Sequence, residues 1–285
     1  MSELPLPAPD VPTRVAEAVR AIRERTALIP RVGLTLGSGL GGVVDSLEDA
    51  TVFATADLPH WPRSTVPGHA GRLALGRWHG VPLAALSGRS HRYEGYALDR
   101  VTFSVRVMHA LGARVLVFTN AVGTMNPGYR PGDLMLAVDH INFIGKRGLF
   151  SRDELIARRA GRLVGGPYSP RLREALIEAA RAAGVPLQRG VLMGGLGPGY
   201  ETAAEVRMAA DLGADVACMS TVHEVMLAAQ LGAEAGSISC VTNRATGLSS
   251  GPLDHHEVTE VANRVALALR RILEEFLKAD ARRAG

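Results

Sequence analysis

Residues 111–120 read LGARVLVFTN, and the order of residue types in this stretch decides the fold. Gly112 follows a helical pattern, and a glycine at this place commonly ends a helix in a left-handed conformation. Residues 115–118 are all apolar, as is typical of a parallel strand that is covered on both faces. The polar pair Thr119 and Asn120 follows. The stretch therefore predicts a helix, a sharp turn and a buried strand with a polar end.

The same Leu-Gly-Ala phrase occurs twice more, at residues 212–214 and 231–233. Each copy ends a helical pattern and precedes another apolar strand, DVACMS at residues 215–220 and SISCVTN at residues 237–243. Helices that alternate with apolar strands predict an α/β fold with parallel strands. Ligands bind beyond the carboxyl ends of such strands, so we expect the polar strand ends to line one site.

The rest of the chain adds elements of the same kind. The patterns predict helices at residues 13–26 and 98–111, strands at 31–36 and 51–55, a hairpin that turns at His79 and Gly80, and a last helix from a capping box at Asp254 and Glu257 to about Arg282. Residues 146–166 have no clear period and are predicted to be loop-rich. No repeat or linker divides the chain, so we expect one domain over residues 1–285, with residues 1–10 flexible.

Composition excludes several classes of partner. The formal net charge is +4 and the pI is about 9.4, but the basic residues are scattered and aromatics make up only 5% of the chain, which argues against nucleic-acid binding. Cys218 and Cys240 both lie in apolar stretches, which favours buried thiols over a disulfide or a zinc site. The sequence has no signal peptide and no stretch long enough to span a membrane, so we expect a cytoplasmic protein without a membrane partner.

Residues 34–45, LTLGSGLGGVVD, place a G-x-G-x-x-G pattern directly after a predicted strand. A dinucleotide site would need a crossover helix and an acidic residue about 20 positions later. Asp57 meets the second condition, but residues 43–50 leave room for barely two helical turns. Three interpretations stay open: a dinucleotide site, which the short helix disfavours, a tight turn without a ligand, and an anion-binding turn in which the Ser38 hydroxyl is a further donor.

Residues 87–96, SGRSHRYEGY, place Arg89, His91 and Tyr93 at alternate positions. If this segment is extended, the three side chains point to the same side. An arginine, an imidazole and a phenol on one face suit an oxyanion and a sugar hydroxyl. The alternative is a solvated edge without function.

Residues 197–208, GPGYETAAEVRM, place Tyr200 and Glu201 just before a predicted helix. The carboxylate is a candidate ligand for a polar substrate. Its alternative role is to stabilise the N-terminus of the helix.

Taken together, these motifs resemble the trimeric, low-molecular-mass class of purine nucleoside phosphorylases, from about residue 32 to the last helix. The matching stretches are LGSGLGG, VPGHAGRLALG, GRSHRYEGY, TNAVGTMNPGYRPGDLMLAVDHIN, GPGYETAAEVRMAADLGADVACMSTVHEV and VTNRATG. The resemblance implies a mixed α/β domain with a largely parallel, partly barrel-like sheet. It also implies reversible attack of phosphate on the anomeric carbon of a purine nucleoside, which yields free base and pentose 1-phosphate. A homotrimer without metal or organic cofactor is expected, with phosphate as co-substrate.

The resemblance also assigns roles to individual residues. His91, Glu201 and Asn243 would be the catalytic residues. The phosphate site would comprise Ser38, Arg89, His91, the Ala121 backbone N–H and Ser220, with His69 as a gate; the ribose contacts would be Tyr93, Met219 and His255; the purine contacts would be Tyr200, Glu201 and Asn243. For His255, helix capping is the alternative, because its register with His256 is open.

The implied chemistry predicts a base preference. Asn243 would bind N7 and O6 of a 6-oxopurine and stabilise the charge that develops on the leaving base. Glu201 would accept a hydrogen bond from N1–H, which adenine lacks, so adenine would leave the carboxylate without its partner. We therefore expect preference for inosine, guanosine and their 2′-deoxy forms over adenosine.

Some positions depart from the family pattern. Ser90 replaces a bulkier apolar residue, and AVGTMN at residues 121–126 stands where the family has AAGGLN. Residues 161–176 lack the phenylalanine that reaches the neighbouring subunit's ribose site in the family. Three alternatives remain: a methylthioadenosine phosphorylase, which would carry aspartate at position 243, a non-catalytic purine-binding protein, and a nicotinamide oxidoreductase.

Overall fold

The computed structural model describes residues 10–37, 41–66, 71–145, 149, 166–248 and 255–284. Over these residues the strands are β1 Val32–Leu36, β2 Glu48–Ala54, β3 Arg72–Trp78, β4 Val81–Ser87, β5 Val115–Thr124, β6 Leu134–Asn142, β7 Gln188–Gly194, β8 Val216–Cys218 and β9 Glu234–Arg244. The helices are α1 Val11–Arg23, α2 Leu98–Val101, α3 Phe103–Leu111, α4 Pro170–Ala182, α5 Ala203–Asp211, α6 Val222–Gln230 and α7 His255–Ala284.

The strands of this described part join one sheet in the order β2-β3-β4-β1-β5-β8-β7-β6-β9, and β9 also pairs with β5. The pairing of β5 with β9 closes β5, β8, β7, β6 and β9 into a ring. The strands β1, β4, β3 and β2 continue from β5 as an open wing. Both parallel and antiparallel pairs occur along this order, so the sheet is mixed. The predicted α/β fold with a barrel-like sheet is confirmed.

The Leu-Gly-Ala phrases take the predicted place in this fold. Gly112, Gly213 and Gly232 follow α3, α5 and α6 with φ angles of 126°, 92° and 81°. In each copy the alanine N–H donates to a carbonyl five residues earlier, which satisfies one of the free carbonyls at the helix end. The strands β5, β8 and β9 follow directly.

Helices cover both faces of the sheet, which explains the uniformly apolar strands. On β5, Phe118 and Leu116 belong to the core cluster that contains residues of α1, α3 and α6. The alternate residues Val115 and Val117 belong to the cluster that contains residues of α4 and α7. A strand buried on both faces has no position that favours a polar residue until it leaves the core.

Of two local predictions, the hairpin is confirmed and the continuous helix is wrong. The hairpin is confirmed: β3 and β4 pair antiparallel around His79 and Gly80, whose φ angles of 50° and 77° suit the twist of a two-residue turn. The continuous helix predicted for residues 98–111 is wrong at Thr102, where φ is −93° and ψ is 11°. The Thr102 hydroxyl donates to the Leu98 carbonyl at 2.7 Å, and such back-bonding competes with helix continuation.

Some predictions fall on residues outside the described part. These are the flexibility of residues 1–9, the capping residue Asp254 and most of the loop-rich segment 146–166. Within that segment Leu149 is buried, and its carbonyl accepts from the Arg106 side chain at 3.0 Å. Among the described residues, the helices are all too short or too polar to cross a bilayer.

The cap glycines generate a stability prediction. An alanine at Gly232 would meet no atom within 4 Å, so Gly232→Ala should cost only the left-handed backbone penalty, about 1–2 kcal/mol. An alanine at Gly112 would also place its Cβ 2.5 Å from Ile29 Cγ2 at a less favourable φ of 126°. We expect a larger loss for Gly112→Ala in urea denaturation. Equal losses would contradict the role assigned to this contact.

Candidate functional site

A cavity of about 390 Å³ lies where several strand ends meet. Its wall includes Gly37 after β1, Asn120 and Ala121 on β5, Met219 and Ser220 after β8, Asn243 on β9, and the loop residues Arg89, His91, Tyr93, Tyr200 and Glu201. The polar strand ends from distant parts of the sequence thus meet around one space, together with the loop side chains that the sequence motifs singled out.

The Arg89 guanidinium lines the cavity and is held on several sides. Nη2 donates to the Thr119 carbonyl at 2.8 Å, and Nη1 donates to the Ser220 and Thr221 hydroxyls at 3.2 and 3.3 Å. The side chain is only 4% exposed. A buried cation of fixed direction beside a serine hydroxyl is suited to binding an oxyanion.

Gly37 lets strand β1 end close against β5. A Cβ at this position would lie 2.9 Å from the Thr119 carbonyl oxygen, so a larger residue would push the two strands apart. The Gly37 N–H donates to the Thr119 hydroxyl at 2.9 Å. The glycine-rich turn therefore begins with its backbone bound to the hydroxyl of Thr119, the residue whose carbonyl accepts from Arg89.

His91 and Tyr93 line the cavity, and the condition of an extended segment is met only in part: His91 is extended, with φ −115° and ψ 159°, but the chain turns after it. Residues Arg92–Glu94 form a 3-10 turn, and the His91 and Tyr93 rings stack with centroids 4.8 Å apart. The turn forms because the Glu94 carboxylate accepts from the His91 backbone N–H at 2.6 Å. Glu94 Oε1 also lies 3.1 Å from His91 Nδ1 and orients the ring.

The titrations of these groups follow from burial and neighbouring charge. Burial raises the pKa of Glu94, but hydrogen bonds from Thr65 and His91 outweigh it and leave the pKa lowered. Burial, with the negative charge of Glu94, raises the pKa of Tyr93 to about 12. Glu94 therefore stays ionised beside His91, and Tyr93 keeps its proton as a donor.

Glu201 and Asn243 add a carboxylate and an amide to the wall of the same cavity. Burial raises the pKa of Glu201, with Glu205 as a smaller contributor. The Thr242 hydroxyl donates to Asn243 Oδ1 at 2.9 Å, and Asn243 Nδ2 donates to the Arg244 carbonyl at 2.9 Å. These two bonds fix the orientation of the Asn243 amide, that is, the positions of its accepting oxygen and its donating nitrogen.

Glycines let side chains of the cavity wall lie close to the backbone. A Cβ at Gly195 would lie 2.8 Å from Glu201 Oε1, and one at Gly197 would lie 2.5 Å from Met219 Sδ and 2.8 Å from Tyr93 Cδ1. Gly197 also has a φ of 69°, which favours glycine. The space that these glycines leave is filled by the side chains that the sequence assigned to base and ribose.

Three of the sequence-derived site residues cannot be placed. Ser38 and His69 lie outside the described residues. Helix α7 begins at His255, but the His255 side chain lies outside the described part of the structure.

Sequence reasoning expected Asn120 and Thr242, as strand-end residues, to line the site but gave them no chemical role, and it singled out neither Glu94 nor Glu224. Asn120 is 5% exposed and lines the cavity, and its amide has no hydrogen-bond partner among the described residues. Thr242, Glu94 and Glu224 orient other groups of the site. The strand-end position marked Asn120 and Thr242, and the spacing of three residues from Thr221 to Glu224 is that of a capping box.

The described residues contain no group of three or more His, Cys, Asp or Glu side chains placed to hold a metal ion. The arrangement instead pairs an oxyanion site at Arg89 and Ser220 with a hydrogen-bonding edge at Glu201 and Asn243. Such a cavity can hold an anion and a heterocycle side by side and stabilise charge on both.

Comparison with known proteins agrees with this arrangement. The sequence-family model of the Phosphorylase superfamily matches residues 31–278 of the chain. Purine nucleoside phosphorylase 1 of Bacillus subtilis is 41% identical over 264 residues, which cover 93% of this chain and 97% of that protein. Crystal structures of Schistosoma mansoni purine nucleoside phosphorylase in complex with inosine and with adenosine are 29% and 30% identical, with TM-scores of 0.86. Each covers 93% of this chain and 96% of the matched chain.

The glycine contact at Glu201 generates a binding prediction. Gly195→Ala should displace the Glu201 carboxylate and weaken inosine binding about tenfold, with inorganic phosphate binding unchanged. Gly199→Ala is the matched control, because its Cβ would meet no atom within 4 Å. Isothermal titration of each variant with inosine and with phosphate measures both effects. Equal inosine affinity in the two variants would contradict the prediction.

Proposed function

Since this chain belongs to the purine nucleoside phosphorylases and catalyses the reversible phosphorolysis of purine nucleosides, we propose that it selects 6-oxopurine nucleosides. The reaction yields free base and pentose 1-phosphate and belongs to purine salvage. It needs no cofactor, and inorganic phosphate is the co-substrate. The family relationship favours this function over a methylthioadenosine phosphorylase or a non-catalytic binding protein.

The observation that carries the base preference is that the Glu201 carboxylate and the Asn243 amide line the same cavity. A 6-oxopurine offers N1–H as a donor to Glu201, and its N7 and O6 face Asn243. Adenine has no N1–H, so its binding would leave the half-buried Glu201 carboxylate without a partner. An unpartnered carboxylate in a cavity costs more than a neutral group, because charge is expensive to desolvate.

The proposed roles follow the movement of charge in the reaction. Phosphate binds at Arg89, His91 and Ser220 and attacks the anomeric carbon as the glycosidic bond breaks. Positive charge develops on the pentose beside the phosphate dianion, and negative charge develops on the leaving purine. Asn243 stabilises the purine anion through N7 and O6, so the stabilisation is stronger in the transition state than in the ground state.

We also propose roles for the other residues of the site. Ala121 N–H and Ser38 complete the phosphate site, with His69 as its gate. Tyr93, Met219 and His255 contact the pentose, and Tyr200 lies against the base. Tyr93 and Met219 both line the cavity and both approach the backbone at Gly197, which supports their assignment to the same part of the substrate.

The test of base selection measures release of free base from inosine, guanosine, adenosine and methylthioadenosine, each with and without phosphate. We expect phosphate-dependent release from inosine and guanosine and slow release from adenosine. Glu201→Ala should lower kcat/KM for inosine about a hundredfold, because N1–H loses its charged acceptor. Adenosine is the internal control, since its kcat/KM should change little.

Rapid release from adenosine by the wild-type chain would overturn the base preference. The measurement with adenosine is informative because the crystal structure of the schistosome relative contains bound adenosine. A loss of activity toward adenosine as large as that toward inosine in Glu201→Ala would also count against the proposed role of the carboxylate.

We further propose that the chain folds as one domain over residues 1–285, forms a homotrimer and is cytoplasmic. One continuous sheet supports the single domain. A patch of apolar side chains beside the cavity supports the assembly; Phe143, Leu196, Tyr200 and Met208 form this rim patch and are 46–50% exposed. Contiguous exposed apolar surface commonly marks an interface between chains.

The rim patch generates a prediction about assembly. Met208→Glu should place a charge in the interface and dissociate the trimer to smaller species in sedimentation-velocity experiments. Leu267→Glu is the matched control, because Leu267 on α7 is 68% exposed and does not belong to the patch. A wild-type chain that sediments as a monomer would refute the trimer, and dissociation by both variants would refute the location of the interface.

A further inference from the structure

Behind the cavity, Glu224 of α6 faces the guanidinium of Arg89. Arg89 Nε lies 3.3 Å from Glu224 Oε2, and the two side chains are 4% and 2% exposed. Glu224 does not form part of the cavity wall, whereas Arg89 and Ser220 do. The carboxylate therefore contacts the edge of the guanidinium opposite to the hydroxyls that accept from Nη1.

The same carboxylate oxygen also holds the turn that presents Ser220. The Thr221 N–H donates to Glu224 Oε2 at 3.2 Å. Thr221 has φ 60° and ψ −50°, a conformation that a β-branched residue rarely adopts and that persists only where neighbours enforce it. Glu224 supplies one of these constraints, and Arg89 supplies another through its bond to the Thr221 hydroxyl.

We infer that Glu224 is a positioning residue for the phosphate site, because a single oxygen fixes both Arg89 and the Ser220–Thr221 turn. The inference rests on the proposed binding of phosphate at Arg89 and Ser220. Attraction of the substrate does not explain the carboxylate, since an anion at this distance repels phosphate. Its contribution is geometric: it keeps the guanidinium and the serine hydroxyl at the separation that one oxyanion requires.

Burial and pairing act on Glu224 in opposite directions. Burial raises the pKa of Glu224 and outweighs the Arg89 guanidinium and the Thr221 N–H, which favour the ionised form, so the pKa stays raised. The neighbouring His223 is also buried, and burial lowers its pKa to about 3, with the charges of Arg89 and His91 contributing. His223 is therefore neutral and does not compete with Arg89 for the carboxylate.

The test compares Glu224→Gln and Glu224→Ala with a matched control. Glu205→Ala removes the corresponding carboxylate of α5, which accepts from the Thr202 N–H at 2.7 Å in the same capping arrangement but lies on another helix. We expect Glu224→Ala to raise KM for phosphate about tenfold or more, with KM for inosine within about twofold. Glu224→Gln keeps an acceptor and should show a smaller rise, whereas Glu205→Ala should leave KM for phosphate unchanged.

A merely structural role would give a different result. It would lower thermal stability or kcat in the Glu224 variants without a selective change in KM for phosphate, and this outcome would overturn the inference. If Glu224→Ala does not fold, the isosteric Glu224→Gln variant decides, because its selective effect on KM for phosphate is expected to remain measurable. Circular dichroism and melting curves establish which variants are folded.

An Arg89→Lys variant separates this inference from the proposed phosphate site. An unchanged KM for phosphate in Arg89→Lys would refute the site at Arg89 itself. A raised KM in Arg89→Lys with an unchanged KM in Glu224→Ala would refute only the role of Glu224. If both are right, the double variant should lose less than the product of the two single effects, because Glu224 acts through Arg89.

Discussion

The way in which two strands share one edge of β5 is the constraint on which the site depends. Strand β1 pairs with residues 115–118 of β5, and β8 pairs with Gly123 and Thr124 on the same strand. Residues 119–122 lie between these two pairings, where the open wing and the closed ring separate. The Thr119 carbonyl is thereby available to Arg89, and Asn120 and Ala121 border the cavity. Ligand sites in α/β folds commonly occupy such a point of divergence between strands.

A buried network of charges then gives this opening its chemical character. Removing a guanidinium from water costs several kcal/mol unless its N–H groups and its charge are compensated. Arg89 obtains that compensation from β5, from the turn after β8 and from Glu224 on α6. Because three elements hold it, the cation is already oriented before an anion arrives. Preorganisation of this kind lets an oxyanion bind without rearrangement of the protein.

Close approach is the second means by which the fold builds the site. Gly37, Gly195 and Gly197 each occupy a place where a Cβ would lie within 3 Å of a neighbouring atom. Their absent side chains let β1 approach β5, leave room for the Glu201 carboxylate and let Tyr93 and Met219 approach the backbone at Gly197. The site thus depends on residues that carry no functional group.

The sequence by itself determined the α/β fold, because the Leu-Gly-Ala phrases and the strands that follow are local patterns of cap and burial. It also indicated which strand ends and which motif residues would line the site, Arg89 and Glu201 among them. Only the tertiary structure decided that β9 closes a ring with β5, that residues 92–94 turn instead of extending, and that Glu224 faces Arg89. Such features depend on contacts between residues far apart in the chain, and neither periodicity nor local propensity contains information about those distances.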